Sequence, residues 1–267
     1  MVECPFWEKH IDQHEVCPQI ASVEDFLYTG DSKQINYVTG VALSADGTKL
    51  YIADDIFSNV LVYVMSTAWD ITTASYSYTF STGLFLSAFN IEFKPDGTKF
   101  YIQYSYTIYQ YNLSVAWDLT TTSYIGSYNA STQDNSGVGV HFKSDGTMMF
   151  LMGTQNDRIY AYLMSTPWAL SSMSYSGDQS DLFTSGVALD ISFSNDGTKL
   201  FIADKGYDTI IQIDLTTAWD ITTGVDNGYA LDISLQSSNV FGIHFSPSED
   251  ELYIADSSSR YIYRYSK

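Results

Sequence analysis

Two groups of residues in this sequence have types and spacing that could do chemistry. Near the start, Cys4, His10, His14 and Cys17 form a C-x5-H-x3-H-x2-C pattern that holds both cysteines of the chain. His10 and His14 stand four apart and would share one face of a helical turn. With two thiolates they offer four ligands suited to a tetrahedral zinc, although the spacing matches no standard finger. A Cys4–Cys17 disulfide closing a short loop is the rival, and free thiols are the third possibility. No basic segment followed by an apolar one opens the chain, so the expectation is synthesis without a signal peptide in a reducing compartment. That setting favours a metal or free thiols over a bridge. The second group is Asn90, Glu92, His141, Asp190, Ser192 and His244. Two imidazoles, two carboxylates, an amide and a hydroxyl could hold a divalent cation or an ordered anion or water cluster. They do so only if the fold gathers positions scattered from 90 to 244.

The element that can gather them is a repeat. SADGTKLYIAD, KPDGTKFYIQY, KSDGTMMFLMG and SNDGTKLFIAD carry Asp-Gly pairs beginning at Asp46, Asp96, Asp145 and Asp196, and a fifth copy, SPSEDELYIAD, has lost its Gly. A period of about fifty residues belongs to β-propellers and similar arrays. Each unit reads as a first strand, a tight Asp-Gly turn, a second strand, an alternating third strand, a Trp-centred loop and a more polar fourth strand. The fifth unit stops at Lys267, after its third strand. The extended stretch Glu24 to Gly30 is expected to supply the missing outer strand and close the ring, which removes the open edges. The fold expected is all-β: a single five-bladed β-propeller of four-stranded blades over 23–267, preceded by a short arm, 1–22. A solenoid is the alternative, and it would need capping units.

Side chains of the first strands alternate between two sides. Val41/Leu43, Ile91/Phe93, Val140/Phe142, Ile191/Phe193 and Ile243/Phe245 form an apolar set that must pack between blades. Gly40/Ala42, Asn90/Glu92, Gly139/His141, Asp190/Ser192 and Gly242/His244 form a small or polar set that should face the central channel. His141 and His244 are therefore expected to approach across the axis with Glu92 nearby. They would hold a divalent cation there, or else line a hydrated tunnel.

Trp69, Trp117, Trp168 and Trp219 occupy equivalent loops. They could stack on sugar rings, or each could plug the gap beneath its blade while the following Asp caps the turn. A residue present in nearly every repeat is more often architectural, which favours the second reading. Asp54, Asp204 and Asp256 end second strands and are expected to bond their own loop backbones.

Composition narrows the partners. The formal net charge is −19. A field of that sign repels phosphate backbones and anionic membrane surfaces, so neither nucleic acid nor membrane insertion is expected. Cations, neutral glycans and basic protein patches remain. No Gly-x-Ser-x-Gly elbow and no phosphate-cradling Gly loop occurs.

The pattern F-x-x-DGTKxY, the Tyr-alternating strand and the W-D-I-T-T-A-S tail at Trp69, Trp117 and Trp219 together resemble a propeller repeat of tail and other virion-surface proteins of tailed, especially aquatic, phages. The resemblance covers roughly Gly40 to Lys267. Trp168 keeps the Trp, but Ala169 replaces the Asp. The resemblance implies a non-enzymatic structural or adhesive protein located in a virion. Its partners would be other virion proteins or copies of itself, and host-surface glycans. The arm would be the attachment device. The alternatives are a soluble carbohydrate-binding lectin and, behind it, a glycosidase or lactonase working at the channel mouth. Five-bladed glycosidases resembling the arabinanase group place three carboxylates there. Here only Glu92 and Asp190 occupy inner positions.

Overall fold

The computed structural model describes residues 22–54, 56, 59–84, 90–180 and 186–267. The Cys4, His10, His14 and Cys17 set, with either its zinc or its disulfide, lies outside the described residues. The strands form five four-stranded antiparallel sheets arranged as a five-bladed propeller. The inner strands are Val41–Leu43, Asn90–Phe93, Gly137–Phe142, Ala188–Phe193 and Val240–Phe245.

Closure is the expected one, with a shift in its boundary. The outer strand of the fifth blade is Leu27–Gln34, antiparallel to Tyr261–Ser266, with Leu27 opposite Ser266 and Gln34 opposite Tyr261. It begins later than Glu24 because Val23–Asp25 forms a short helical turn instead. That turn is boxed at its start: the Asp25 carboxylate accepts the Ser22 N–H at 2.8 Å, and the Ser22 hydroxyl accepts the Glu24 N–H. Val23 is fully buried, and its N–H donates to the Gln212 side chain at 2.8 Å. Gln110 accepts from Leu170 in the same way at 2.9 Å. The start of the chain thus supplies both parts missing from the fifth unit, the loop turn as well as the strand.

The core is distributed between blades rather than central. Five apolar clusters each join two neighbouring blades. One of them packs Tyr253, Ala255 and Ile262 of the last blade against Val41, Leu43 and Leu50 of the first. The apolar set of inner-strand residues supplies much of this packing.

The Trp loops are clasps. Each indole lies directly over the Gly of its own blade's Asp-Gly turn, so a Cβ at Gly47, Gly97, Gly146 or Gly197 would come closer than 3.0 Å to it. Those glycines have φ between 68° and 73°. The four Trp residues themselves adopt φ of 63° to 66°, a conformation that costs an L-residue about 1–2 kcal/mol. Burying a large apolar side chain returns about 1.5–3 kcal/mol, so packing outweighs the strain. Three of the four loops also grip a neighbour: the Trp117, Trp168 and Trp69 carbonyls accept the hydroxyls of Tyr51, Tyr101 and Tyr253 at 2.6, 2.8 and 2.8 Å. Asp70, Asp118 and Asp220 cap their turns through the N–H groups of Thr72, Thr120 and Thr222, whereas Ala169 makes no such bond. Asp256 likewise binds the N–H groups of Ser238, Asn239, Ser258 and Ser259.

Gly97→Ala is expected to destabilise the protein by about 2–4 kcal/mol, through overpacking and a disfavoured φ. Trp117→Ala should cost about 3–5 kcal/mol. With the indole gone the new Cβ has room, so the double variant should lose clearly less than the sum. Urea unfolding of the four proteins measures this coupling, and strict additivity would contradict the clasp.

Candidate functional site

The inner strands surround an axial cavity of about 310 Å³, a size suited to a small ligand. Asn90, Glu92, His141, Asp190, Ser192 and His244 all line it. The alternation of the inner strands therefore places the polar set on the axis. Two glycines of that set make room for close approach. A Cβ at Gly139 would stand 2.6 Å from the Asp190 carboxylate, and one at Gly242 would stand 2.6 Å from the Thr39 carbonyl. The indoles of Trp117, Trp168 and Trp219 reach the cavity as well, but Trp69 is not among its lining residues.

Asp190 is an anchor. Its Oδ1 accepts from the Asn90 amide at 2.7 Å and the Ile191 N–H at 2.9 Å, and its Oδ2 accepts from the Ile243 N–H at 2.9 Å. It thereby ties together the second, fourth and fifth blades. Burial pushes Asp190 up to about 8, against the pull of these three donors. Glu92 is held more loosely, by the Phe142 N–H and by His141, whose Nδ1 lies 3.4 Å from Oε1. Burial, reinforced by the charge of Asp190, holds Glu92 well above the usual carboxylate range. Burial, with His244 nearby, pushes His141 down to about 3, and burial pushes His244 down to about 4. His141 is thus uncharged at neutral pH, and its contact with Glu92 is a hydrogen-bonding one rather than an ion pair. The two side chains keep 22% and 17% of their surface exposed, which leaves them open to whatever occupies the cavity.

His141 also stacks on Phe193, with ring centroids 5.5 Å apart, and His244 Nε2 accepts the Leu43 N–H at 3.4 Å. Both imidazoles are thus fixed by neighbouring blades while lining the axis. The Asn90 carbonyl oxygen is buried without a protein partner. Among the described residues, no three His, Cys, Asp or Glu side chains are grouped to hold a metal ion. Among the lining residues that escaped the sequence reading, one is ionisable. Glu249 stands where four other turns have Gly, and it reaches the cavity mouth. The only signal for it was the lost Gly of the fifth copy.

No protein-family model matches the sequence, and neither does any curated protein. Solved structures do match. A putative 6-phosphogluconolactonase from Bacteroides uniformis aligns at 14% identity with a TM-score of 0.51, over 73% of this chain and 55% of that one. A protein from Lactobacillus plantarum aligns at 17% identity with a TM-score of 0.54, over 82% and 64%. A luciferin-regenerating enzyme aligns at 14% identity with a TM-score of 0.56, over 91% and 95%. The chain spans less than two thirds of the length of the first two. At these identities the likeness establishes the propeller fold, and nothing in it is particular to phage-tail repeats. The expectation of a non-enzymatic virion component is corrected here. Propellers described as enzymes share this fold, and the axis is a cavity lined by carboxyl and imidazole groups rather than a filled scaffold. No helix among the described residues is long and apolar enough to cross a membrane.

The protonation states predict a pH signature. Below about pH 6.5 two effects oppose each other: the unfolded chain takes up protons on His141 and His244, while the folded protein holds them on Asp190 and Glu92. Between about pH 6.5 and 8 only the carboxyls differ, the folded protein binds more protons, and stability should fall as pH rises. Asp190→Asn should cost about 1–3 kcal/mol at pH 6.5, because one N–H loses its acceptor. The same variant should flatten the fall above that pH. Chemical denaturation across this range measures both, and an unchanged slope would contradict the assignment.

Proposed function

We propose that the chain is a small-molecule hydrolase that opens a lactone or similar cyclic ester in its axial cavity. The observation that carries this reading is the Glu92–His141 contact at 3.4 Å inside the axial cavity. A carboxyl raised by burial above the usual carboxylate range suits reversible proton transfer better than an ordinary one does. His141, held neutral, is too weak a base to compete. It serves as a donor that orients Glu92 or polarises a carbonyl.

The reaction follows from these roles. Ionised Glu92 takes a proton from a water molecule as the water oxygen adds to the ester carbonyl carbon. The resulting oxyanion faces the His141 N–H. On collapse the ring C–O bond breaks, and the departing alkoxide takes the proton back from Glu92. The products are a hydroxy acid and the original carboxylate. Titles of structurally similar propellers, a putative 6-phosphogluconolactonase among them, support the choice of ester chemistry over other hydrolyses. A second reading is carbohydrate binding without turnover, favoured by the three indoles that reach the cavity. Most of each indole's packing is against its turn Gly and the neighbouring rings, such as Phe93 at 5.0 Å from Trp117. Stacking on a sugar is left to their edges.

Purified protein should release acid from sugar lactones faster than water does. Glu92→Gln should lower kcat/KM by about 10²- to 10⁴-fold, the usual share of a general acid–base group, with an unchanged thermal transition. His141→Gln should lower it less. An absence of turnover in the wild type, or a Glu92→Gln enzyme of full activity, would overturn the reading.

A further inference from the structure

The five turns that ring the cavity mouth are not equivalent. In four of them Gly sits beneath its Trp, and in the fifth the chain places Glu249 at the same step with φ of 60°. A side chain fits there because the segment that replaces the fifth loop, Ser22 to Phe26, sets no described indole over this turn. Glu249 does not turn outward. Its carboxylate accepts the Asn195 N–H of the neighbouring turn, and the Asn195 amide donates to the Pro247 carbonyl at 2.9 Å. These two bonds lash the fourth and fifth turns together and hold the carboxylate at the mouth, where it lines the cavity.

The charge of Lys267 acts on it from outside the cavity lining and partly offsets the effect of burial. Among the described residues lining the cavity there is no Lys or Arg, while Glu92 and Asp190 lie deeper. The turn lysines Lys94 and Lys143 are paired with Asp96 and Asp145 at 2.6 and 2.8 Å. Lys199 and Lys267 line a small void adjoining Glu249. Lys199 is paired with Asp214 at 3.2 Å, and Lys267 lies over the Phe26 ring at 4.9 Å. A phosphorylated ligand entering the cavity would pass a fixed carboxylate with no cation on the lining to receive it. A hydroxylated ring without charge meets the free carboxylate oxygen as an acceptor.

We propose that Glu249 is a specificity-determining residue, and that the axial cavity takes an uncharged, hydroxylated ring and rejects its phosphorylated counterpart. This rests on the reading of the cavity as a small-molecule site and not on catalysis. It departs from the substrate named in the titles of the lactonase neighbours. Burial raises Glu249 above the usual carboxylate range, opposed by its bond to Asn195, so the rejection should weaken in acid.

The test titrates the protein with gluconolactam, an uncharged ring that cannot be hydrolysed, and with its 6-phosphate, following Trp fluorescence. The wild type should bind the phosphate at least about tenfold more weakly, as a like charge at short range in a partly dry mouth requires. In Glu249→Gln, which keeps an acceptor for Asn195, the gap, read as the ratio of the two affinities, should shrink to about threefold or less. Glu249→Gly places the residue of the other four turns there, removes the carboxylate altogether, and should close the gap equally. Equal affinities in the wild type, an unchanged gap in both variants, or no saturable lactam binding would each overturn the proposal. Lactam binding with the full gap but no lactone turnover would support it and remove only the hydrolase reading.

Discussion

Everything in this molecule depends on the pairing of Leu27–Gln34 with Tyr261–Ser266. A propeller blade has no core of its own, because its apolar faces are buried only by the blades beside it. Until the ring is shut, two of these faces and two strand edges are open. The closing segment brings more than backbone hydrogen bonds. Phe26 packs edge-on to Phe245 at 5.6 Å, and Arg264 joins Asp31 at 2.9 Å and Glu251 at 2.7 Å. The partly exposed ion pairs add little by themselves. The apolar seam shared by the first and last blades adds far more, and it exists only in the closed ring. Closure also sets the spacing of the five inner strands, and hence the width of the cavity they surround.

Cavity chemistry follows from that geometry. Five inner strands at close quarters take their axial side chains out of water without supplying countercharges. Carboxyls there hold protons, and imidazoles give them up. Asp190 and Glu92 meet this constraint differently. Asp190 is bonded on both oxygens and joins three blades, so its role is mainly structural. Glu92 has a backbone donor and an imidazole and remains partly open to the cavity. It is the group free to exchange a proton with a ligand.

Much of this was legible in the sequence. The Asp-Gly spacing gave the blade count, and the period-two alternation of the inner strands picked out all six axial polar residues, because both signals depend only on local backbone geometry. Ring closure was legible too, though the strand began three residues late: the backbone of Val23–Asp25 repeats the loop turn with no Trp to mark it. The Trp loops misled. Their W-D-I-T-T pattern pointed to a virion repeat, yet the described Trp indoles and the capping Asp residues serve blade packing, so the motif reports architecture and not function. Glu249 was hidden for a different reason. It looked like a decayed copy of the turn, and only the three-dimensional ring shows that the lost Gly frees a side chain to reach the mouth. Protonation states were illegible because they depend on burial summed over five distant segments.

The central claim is that chemistry happens at Glu92 on the propeller axis. A crystal structure of the protein with an uncharged sugar lactam tests it most directly. The account places the ring in the axial cavity, with its carbonyl group within hydrogen-bonding distance of Glu92 or His141. A lactam bound on the outer strands or between blades, with the axial side chains untouched, would contradict it.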